Sequence, residues 1–189
     1  VSGTIPEGTA FIKSYIYRSS NEDTLKVAYR RRKLSLVGNL DINDRNLLKG
    51  SSDKWQKLNF SGWNYYLIDR NDPFYVNEGE TYTASVLVKD VKTAKNGVGL
   101  WFFGYSSDDE WLYQSKESDI DRVEEGKVKH TITIPEKVDY ITMSIRNPVR
   151  SETVTLSYKE AKLQKGNRAT EWTPAPEDIV EESKKYIDP

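Results

Sequence analysis

The sequence predicts an all-β fold, a two-sheet antiparallel β-sandwich of jelly-roll type. Three observations support this prediction. Apolar residues recur at every second position in segment after segment, turn-forming Gly, Asn, Asp and Pro separate the segments, and no helical period runs through the middle of the chain. The 189 residues suit one domain with an appendage. A β-hairpin is expected before the sandwich and a short helix after it.

The first 40 residues resemble the last strands of the sandwich. The segment that begins at Ile5 aligns without a gap with the segment that begins at Ile134, with identical residues at core and turn positions. Such a repeat means that residues 1–40 are the C-terminal strands of a preceding, truncated module, joined to the sandwich by a linker at 41–45. Two ordinary hairpins with similar alternation are the alternative. The chain opens at Val1 without an initiator methionine, which indicates a fragment.

Short strands follow one another between residues 46 and 172, the range expected for the sandwich. Each predicted strand has one apolar face, which is expected to line the core. Asn96 and Gly97 supply one of the turns, because both tolerate the positive φ of tight hairpins. The predicted core residues are Tyr82, Val86, Val88, Val98, Leu100, Phe102, Ile141, Met143 and Ile145.

The last segment, residues 173–189, is expected to be a proline-containing linker followed by a short helix. Pro174 and Pro176 fix their own φ and bias the residue before them away from helix. From Glu177 onward, acidic residues come first and lysines later, which is the order that a helix dipole favours. The chain is therefore expected to leave the sandwich through a stiff, extended segment.

Composition argues against an enzyme. The chain has no cysteine and a single histidine, His130, so neither a thiolate metal site nor a multi-histidine site can form. A satisfied or solvated side chain is expected for His130, which lies in a strand pattern. Acidic pairs such as Asp108 and Asp109 lie on turns without a paired geometry. We expect no catalysis and no cofactor; the metal content is unknown, with a structural calcium ion left open.

The charge pattern gives no reason to expect nucleic acid or membrane insertion. The formal net charge is -1, which offers no global attraction to a polyanion. No apolar run approaches the ~18 to 20 residues needed to cross a bilayer. The one dense basic run, Arg30 to Lys33, is expected at an exposed strand edge, where charges discourage the addition of another strand.

Aromatic residues exceed the needs of a core of this size, with five Trp, twelve Tyr and five Phe. Several lie on strand faces opposite the predicted core, and flat rings exposed on a sheet suit the apolar faces of sugar rings, while polar neighbours bind the hydroxyls. The alternative is that a loop such as residues 63–66 covers Trp101 and Phe103. The predicted saccharide-binding residues are Trp101, Phe103, Tyr105, Trp111, Lys89, Thr142, Ser144 and Arg146.

Three segments carry a resemblance to a known family. They are residues 46–48 (NLL), 79–89 (GETYTASVLVK) and 162–178 (KLQKGNRATEWTPAPED). These segments resemble the jelly-roll carbohydrate-binding modules of phage tail and baseplate proteins, and the accessory baseplate proteins of phages infecting lactococci and related Gram-positive bacteria are the most similar type. The resemblance covers residues 46 to about 178. The chain has Gln164 where the family usually has glutamate.

The resemblance implies a virion protein of the tail tip or baseplate that faces the host cell surface and takes part in host adhesion. It implies binding to host cell-wall polysaccharide without catalysis, and contact with other baseplate subunits. A structural module that only assembles with those subunits is the alternative, and its aromatic face would be buried in a protein interface. A glycan-cleaving enzyme, the third class, would need two carboxylates roughly 5 to 9.5 Å apart beside a groove.

Overall fold

The computed structural model describes residues 15–17, 24–26, 44–92 and 97–179, and every structural statement below refers to these residues. Eleven strands are numbered in chain order: β1 (Tyr15–Tyr17), β2 (Thr24–Lys26), β3 (Gln56–Ser61), β4 (Asn64–Ile68), β5 (Phe74–Tyr75), β6 (Thr81–Lys92), β7 (Gly99–Tyr105), β8 (Trp111–Gln114), β9 (Gly126–Thr133), β10 (Tyr140–Arg146) and β11 (Thr153–Lys165). A 3-10 turn spans Glu117–Asp119, and residues 176–179 are helical.

Strands β3 to β11 form two antiparallel sheets. Sheet I has the order β4-β10-β7-β8, and β5 also pairs with β10. Sheet II has the order β3-β11-β6-β9. Neighbours in each sheet are mostly distant in sequence, so the chain crosses between the sheets repeatedly. The prediction of an all-β sandwich with a preceding hairpin and a short C-terminal helix is confirmed.

The core lies between the inward faces of the two sheets. All nine predicted core residues are buried there, including Leu100 and Met143 from sheet I and Val86 from sheet II. The period of two holds within single strands, because Val88 is buried while its neighbour Lys89 is only half-buried. The side chains on the opposite side of each sheet are therefore free to form separate surfaces.

The N-terminal hairpin differs from the segment that it resembles in sequence. β1 pairs with β2, and Ile16 lies opposite Leu25. The aligned residues of the second copy, Ile145 and Val154, belong to β10 and β11, which lie in different sheets. Strands thus occur at matching positions but pair differently. Most of residues 1–43 lie outside the described residues, so the truncated module and its linker stay predictions.

The counterpart of the basic run is not at a strand edge. β11 lies between β3 and β6, and its second half also accepts a backbone hydrogen bond from Leu47 N to Leu163 O at 2.7 Å. Lys162 is buried beneath the closing segment, where its Nζ donates to Thr170 Oγ1 at 2.7 Å. The prediction of an exposed strand edge for the basic run was based on its counterpart, residues 159–162, and it is wrong for those residues. Arg30 to Lys33 themselves lie outside the described residues.

The Asn46 side chain connects the first and the last segments of the sandwich by hydrogen bonds. Its Nδ2 donates to Ser51 Oγ and to Thr173 O, each at 3.0 Å. Its Oδ1 accepts from Leu48 N at 3.0 Å and from Leu163 N at 3.2 Å. The side chain is fully buried. The opening and closing segments that carry the sequence resemblance are therefore two parts of one hydrogen-bonded structure.

His130 is a buried structural residue, as expected for a satisfied histidine. Its Nε2 lies 3.0 Å from Ser115 Oγ, and its ring packs 5.6 Å from the Phe102 ring. Burial lowers the pKa of His130 below its ordinary value of 6.5. The neutral imidazole is therefore the form that the folded protein favours.

We expect His130 to make the protein less stable in mild acid. His130 takes up a proton near pH 6.5 in the unfolded chain and only at lower pH in the folded chain. The stabilisation from the neutral, buried imidazole is therefore complete above about pH 6.5, and it is lost as the pH falls below that value. Thermal unfolding between pH 7.5 and 5 measures this slope. A His130→Gln variant should show a smaller decline, and an equal decline in both proteins would assign the effect to other groups.

The described part of the chain holds no helix that is both long and apolar enough to span a bilayer.

Candidate functional site

The side of sheet I that faces away from the core carries the predicted aromatic residues. On the central strands β7 and β10, Trp101 lies opposite Ser144, Phe103 opposite Thr142, and Tyr105 opposite Tyr140. We call this surface the outer face, and its residues on these two strands are Trp101, Phe103, Tyr105, Tyr140, Thr142, Ser144 and Arg146. Neither Trp101 nor Tyr105 belongs to the apolar core cluster. Strand alternation therefore assigned the two faces of sheet I correctly.

The ring of Trp101 is covered, although it lies outside the core. Only 4% of Trp101 is exposed. The guanidinium carbon of Arg146 lies 4.5 Å from the centre of the Trp101 ring and 4.2 Å from the centre of the Trp63 ring. The expectation of an exposed Trp101 ring was wrong, because the Arg146 guanidinium lies over it. The alternative, cover by residues 63–66, holds in part, because Trp63 from the β3–β4 turn packs against the same guanidinium.

Phe103 forms a partly exposed floor next to Trp101. The Trp101 and Phe103 rings lie 6.4 Å apart, and the ring of Tyr66 on β4 lies 6.3 Å from Phe103. Phe103 is half-buried, whereas Thr142 and Ser144 beside it are fully buried. Trp101, Phe103 and Tyr66 thus form one aromatic group in the middle of the outer face.

A second aromatic group lies at the Tyr105 end. The rings of Tyr105 and Tyr140 stack at 5.0 Å with an interplanar angle of 16°, and the Arg70 guanidinium lies 4.7 Å from the centre of Tyr105. Asp109 accepts a hydrogen bond from the Tyr140 hydroxyl and forms an ion pair with Arg70 at 3.3 Å. These partners, the tyrosine hydroxyl first, hold the pKa of Asp109 below its ordinary value. Asp109 thus connects Tyr140 and Arg70, and the ionised form of its carboxyl group is favoured.

Exposed aromatic rings surround the outer face. Tyr66 on β4 is 42% exposed, Tyr75 on β5 is 71% exposed, and Trp111 on β8 is 58% exposed. Trp63 in the β3–β4 turn is 39% exposed. Tyr75 lies against Tyr140, with the ring centres 6.0 Å apart. Most of the large exposed apolar side chains of the described residues therefore belong to sheet I or its turns.

Polar atoms without partners lie on the same face. Trp101 Nε1 and Arg146 Nε are buried and make no hydrogen bond within the described part of the chain. Thr142 Oγ1 is also buried without a hydrogen bond of normal geometry, although it lies near the Tyr105 hydroxyl and opposes the burial that raises the pKa of Tyr105. Ser144 Oγ donates to Asn64 Oδ1 at 3.1 Å. Buried donors of this kind are costly unless a partner arrives.

A loop closes the Arg146 end of the outer face. Gly99 lies opposite Arg146 in the sheet, and a Cβ at Gly99 would lie 2.1 Å from Ile120 Cγ2. The segment around the 3-10 turn therefore lies directly over this end of β7. Arg122 from that loop forms an ion pair with Glu117, and its Nη1 is buried without a partner among the described residues. Glu117 and Arg122 both act electrostatically on Arg146.

Lys89 does not lie on the outer face. It belongs to β6 in sheet II, and its Nζ lies 4.6 Å from the centre of the Trp55 ring. Alternation placed Lys89 correctly on the non-core side of its own strand, but the non-core sides of the two sheets point in opposite directions. Grouping Lys89 with Trp101 was therefore wrong. Trp111 does lie beside Tyr105, with which it pairs across β7 and β8.

Several residues of the site were not predicted. Tyr140 alternates with Thr142 on β10 and could have been found by the same period of two. Tyr66 and Trp63 were named only as a covering loop, and no local pattern places them above β7. Arg122 has no sequence signal, because its position depends on the path of a loop over Gly99. No group of three or more metal-ligating side chains converges within the described ranges.

No family model and no curated protein matches the sequence. Solved structures with a related fold include the tripod from the baseplate of bacteriophage Tuc2009, at 17% identity and a TM-score of 0.42, over 71% of this chain and 60% of that chain. A CBM4 structure is similar at 14% identity and a TM-score of 0.34, over 64% of this chain and 68% of that chain. The CBM22-1-GH10 modules of a Clostridium thermocellum xylanase, complexed with xylohexaose, are similar at 16% identity and a TM-score of 0.34, over 70% of this chain and 30% of that chain.

The chain thus spans about 60% of the tripod chain that it matches. Likenesses at these identities concern the fold alone. The function has to be inferred from the site itself.

Proposed function

We propose that this chain is a non-catalytic module that binds saccharide on the outer face of sheet I. The observation that carries the proposal is the coincidence of two features on one surface. Exposed aromatic rings surround it, and the buried donors Trp101 Nε1 and Arg146 Nε lie within it without partners among the described residues. A sugar offers an apolar face for rings and hydroxyls for donors. The two features are therefore complementary to one class of ligand.

The arrangement of the rings suggests how a sugar would lie. Tyr66 and Trp111 stand on opposite edges of the outer face, on β4 and β8, with the half-buried Phe103 between them. An extended chain of sugars that crosses the central strands would contact all three rings. Its hydroxyls would then lie above Thr142 and Trp101, where the unpaired polar atoms are.

The carboxylates near the face support binding without catalysis. A general acid needs a raised pKa to hold its proton at neutral pH, whereas the pKa of Asp109 is lowered by the Tyr140 hydroxyl and by Arg70. Glu117 is held in an ion pair with Arg122. The Asp109 carboxyl therefore lacks the raised pKa of the general acid in a glycoside hydrolase.

The resemblance of residues 46–178 to phage tail modules supports a more specific role. Host cell-wall polysaccharide would be the ligand, other baseplate subunits the neighbours, and the phage tail tip or baseplate the location, with the outer face turned toward the host. One ring stacked on sugar with a few hydrogen bonds gives a dissociation constant of about 10 μM to 1 mM per site. Many copies on a virion would then be needed for firm adsorption.

Truncation of the exposed rings tests the proposal. We expect Trp111→Ala and Tyr66→Ala each to weaken binding to purified host cell-wall polysaccharide by about tenfold, because a stacked ring contributes about 0.5 to 1.5 kcal/mol beyond its buried area. Isothermal titration measures the affinity. Stability should change by less than about 0.5 kcal/mol, since both rings are exposed.

Trp55→Ala is the matched control. Trp55 is 42% exposed, like Tyr66, but it lies just before β3 of sheet II. Saccharide binding that is lost in the Trp55 variant and kept in the other two would place the site on sheet II. A protein that binds no polysaccharide, yet assembles with baseplate subunits through Trp111 and Tyr66, would support the structural alternative instead.

A further inference from the structure

One corner of the outer face carries more positive than negative charge. This arginine corner consists of Arg146 at the end of β10 together with Arg122 and Glu117 from the loop over Gly99. Glu117 is paired with Arg122. Arg146 forms no ion pair with any residue that the structure describes, and its one hydrogen bond there is from Nη1 to Asn64 Oδ1 at 3.4 Å. Two guanidinium groups and one carboxylate thus contribute to this corner, and the carboxylate is paired with Arg122.

The charge of Arg146 is held where water reaches it poorly. The guanidinium lies against the rings of Trp63 and Trp101, at 4.2 and 4.5 Å, and its Nε is buried without a partner among the described residues. Burial is the main cause that lowers the pKa of Arg146; the charge of Glu117 opposes it, and the charge of Arg122 acts in the same direction as burial. A half-buried cation without a counter-ion is costly unless an anion compensates it.

We propose that the saccharide bound on the outer face carries an anionic group, a phosphate or a carboxylate, and that Arg146 and Arg122 receive it. The inference rests on the proposed function and adds the chemical class of the ligand. A guanidinium presents five N–H donors in a planar fork that matches the oxygens of phosphate or carboxylate. The rings of Trp63 and Trp101 fix the plane of that fork and still leave donors of Arg146 unused.

A neutral sugar would fit this corner less well. Its hydroxyls can accept from Arg146, but they leave the excess positive charge uncompensated. An anionic group offsets that charge and accepts the unused donors together, in hydrogen bonds in which both the donor and the acceptor are ionised. The other arginine on the face, Arg70, already has Asp109 as its counter-ion. The arginine corner is therefore where the charged group of the ligand would bind.

The first experiment compares ligands on the unmodified chain and needs no variant. The probes are a cell-wall polysaccharide with phosphodiester groups, the same polymer after removal of its phosphate, polygalacturonate as a carboxylate polymer, and dextran as a neutral one. We expect the phosphorylated polymer or polygalacturonate to bind at least tenfold more tightly than the dephosphorylated polymer and dextran. The phosphorylated and carboxylate arms identify which anion is preferred.

The second experiment removes the charge. Arg146→Gln should weaken binding of the preferred anionic polymer by about ten- to a hundredfold and reduce the salt dependence of binding, whereas binding of the dephosphorylated polymer, which loses only a donor to neutral hydroxyls, should weaken by about threefold or less. Arg146→Lys keeps the charge but not the fork and should be intermediate. Arg168→Gln removes the same charge from the turn after β11, at the other end of the sandwich, and should bind as the unmodified chain does.

The outcomes separate the two proposals. Equal binding of anionic and neutral polymers, with no effect of Arg146→Gln, would overturn the anionic ligand and leave saccharide binding intact. No binding of any polymer would overturn the proposed function, and the inference with it. Because Arg146 packs against two rings, thermal unfolding of the Gln variant is measured in parallel. Arg122→Gln, which leaves Arg146 and the two rings in place, repeats the test if the first variant is unstable.

Discussion

Replacing Asn46 by alanine should lower the free energy of unfolding by about 3 to 5 kcal/mol. The amide connects the segment before β3, the end of β11 and the closing segment through Ser51 Oγ, Leu163 N and Thr173 O. Alanine would leave two buried backbone N–H groups, those of Leu48 and Leu163, without their acceptor. Each buried group left without a partner costs about 1 to 3 kcal/mol.

Denaturation by urea measures this effect, and Asn59→Ala is the control. Asn59 lies on β3 with an exposed side chain, so its replacement should change stability by less than about 0.5 kcal/mol. A loss below about 1 kcal/mol for Asn46→Ala would mean that water replaces the amide and that the two ends of the sandwich hold together without it.

Strand faces could be predicted from the sequence because alternation is a local property. A strand with one face in the core repeats every two residues, so Leu100, Phe102 and Met143 could be assigned to the interior without knowledge of their partners. Alternation cannot tell which sheet a strand joins. Lys89 shows this limit, because its strand joins sheet II, away from Trp101.

The sequence offered a cover over Trp101 only as an alternative, because such a cover depends on contacts between distant segments. Arg146 lies over the Trp101 ring from outside the core, and Trp63 packs against Arg146. On sheet II, the closing segment does the same to Lys162 and Gln164, which are polar and on the non-core side of β11, yet buried. Burial on a non-core face thus identifies the places where the chain returns over its own sheet.

Trp101→Ala should therefore affect both stability and binding. We expect a loss of about 3 kcal/mol in the free energy of unfolding, as for other buried tryptophans, together with the loss of saccharide binding. Loss of an exposed ring would leave the fold unaffected, whereas only 4% of Trp101 is exposed. The alanine variant alone cannot separate a damaged surface from a lost contact, so a second substitution is needed.

Trp101→Phe separates them, because it keeps an aromatic ring beneath Arg146 while it removes the indole N–H and the second ring. That donor is buried without a partner among the described residues, so its removal breaks no hydrogen bond there, and the lost ring volume should lower the free energy of unfolding by about 1 to 2 kcal/mol, less than the alanine variant does. If Nε1 donates to a sugar hydroxyl in the complex, binding should weaken by about three- to tenfold. Equilibrium unfolding and titration with cell-wall polysaccharide measure the two effects.

Trp172→Phe provides the contrast for this prediction. Its Nε1 donates to Ser51 Oγ at 3.0 Å, so the same substitution should lower stability by about 1 kcal/mol and leave saccharide binding unchanged. The same substitution at the two tryptophans should therefore weaken saccharide binding at Trp101 and leave it unchanged at Trp172. If Trp101→Phe binds as the unmodified chain does, the Trp101 donor does not contact the ligand and the ligand lies elsewhere, with the exposed rings of Tyr75 and Trp111 as the next surface to test.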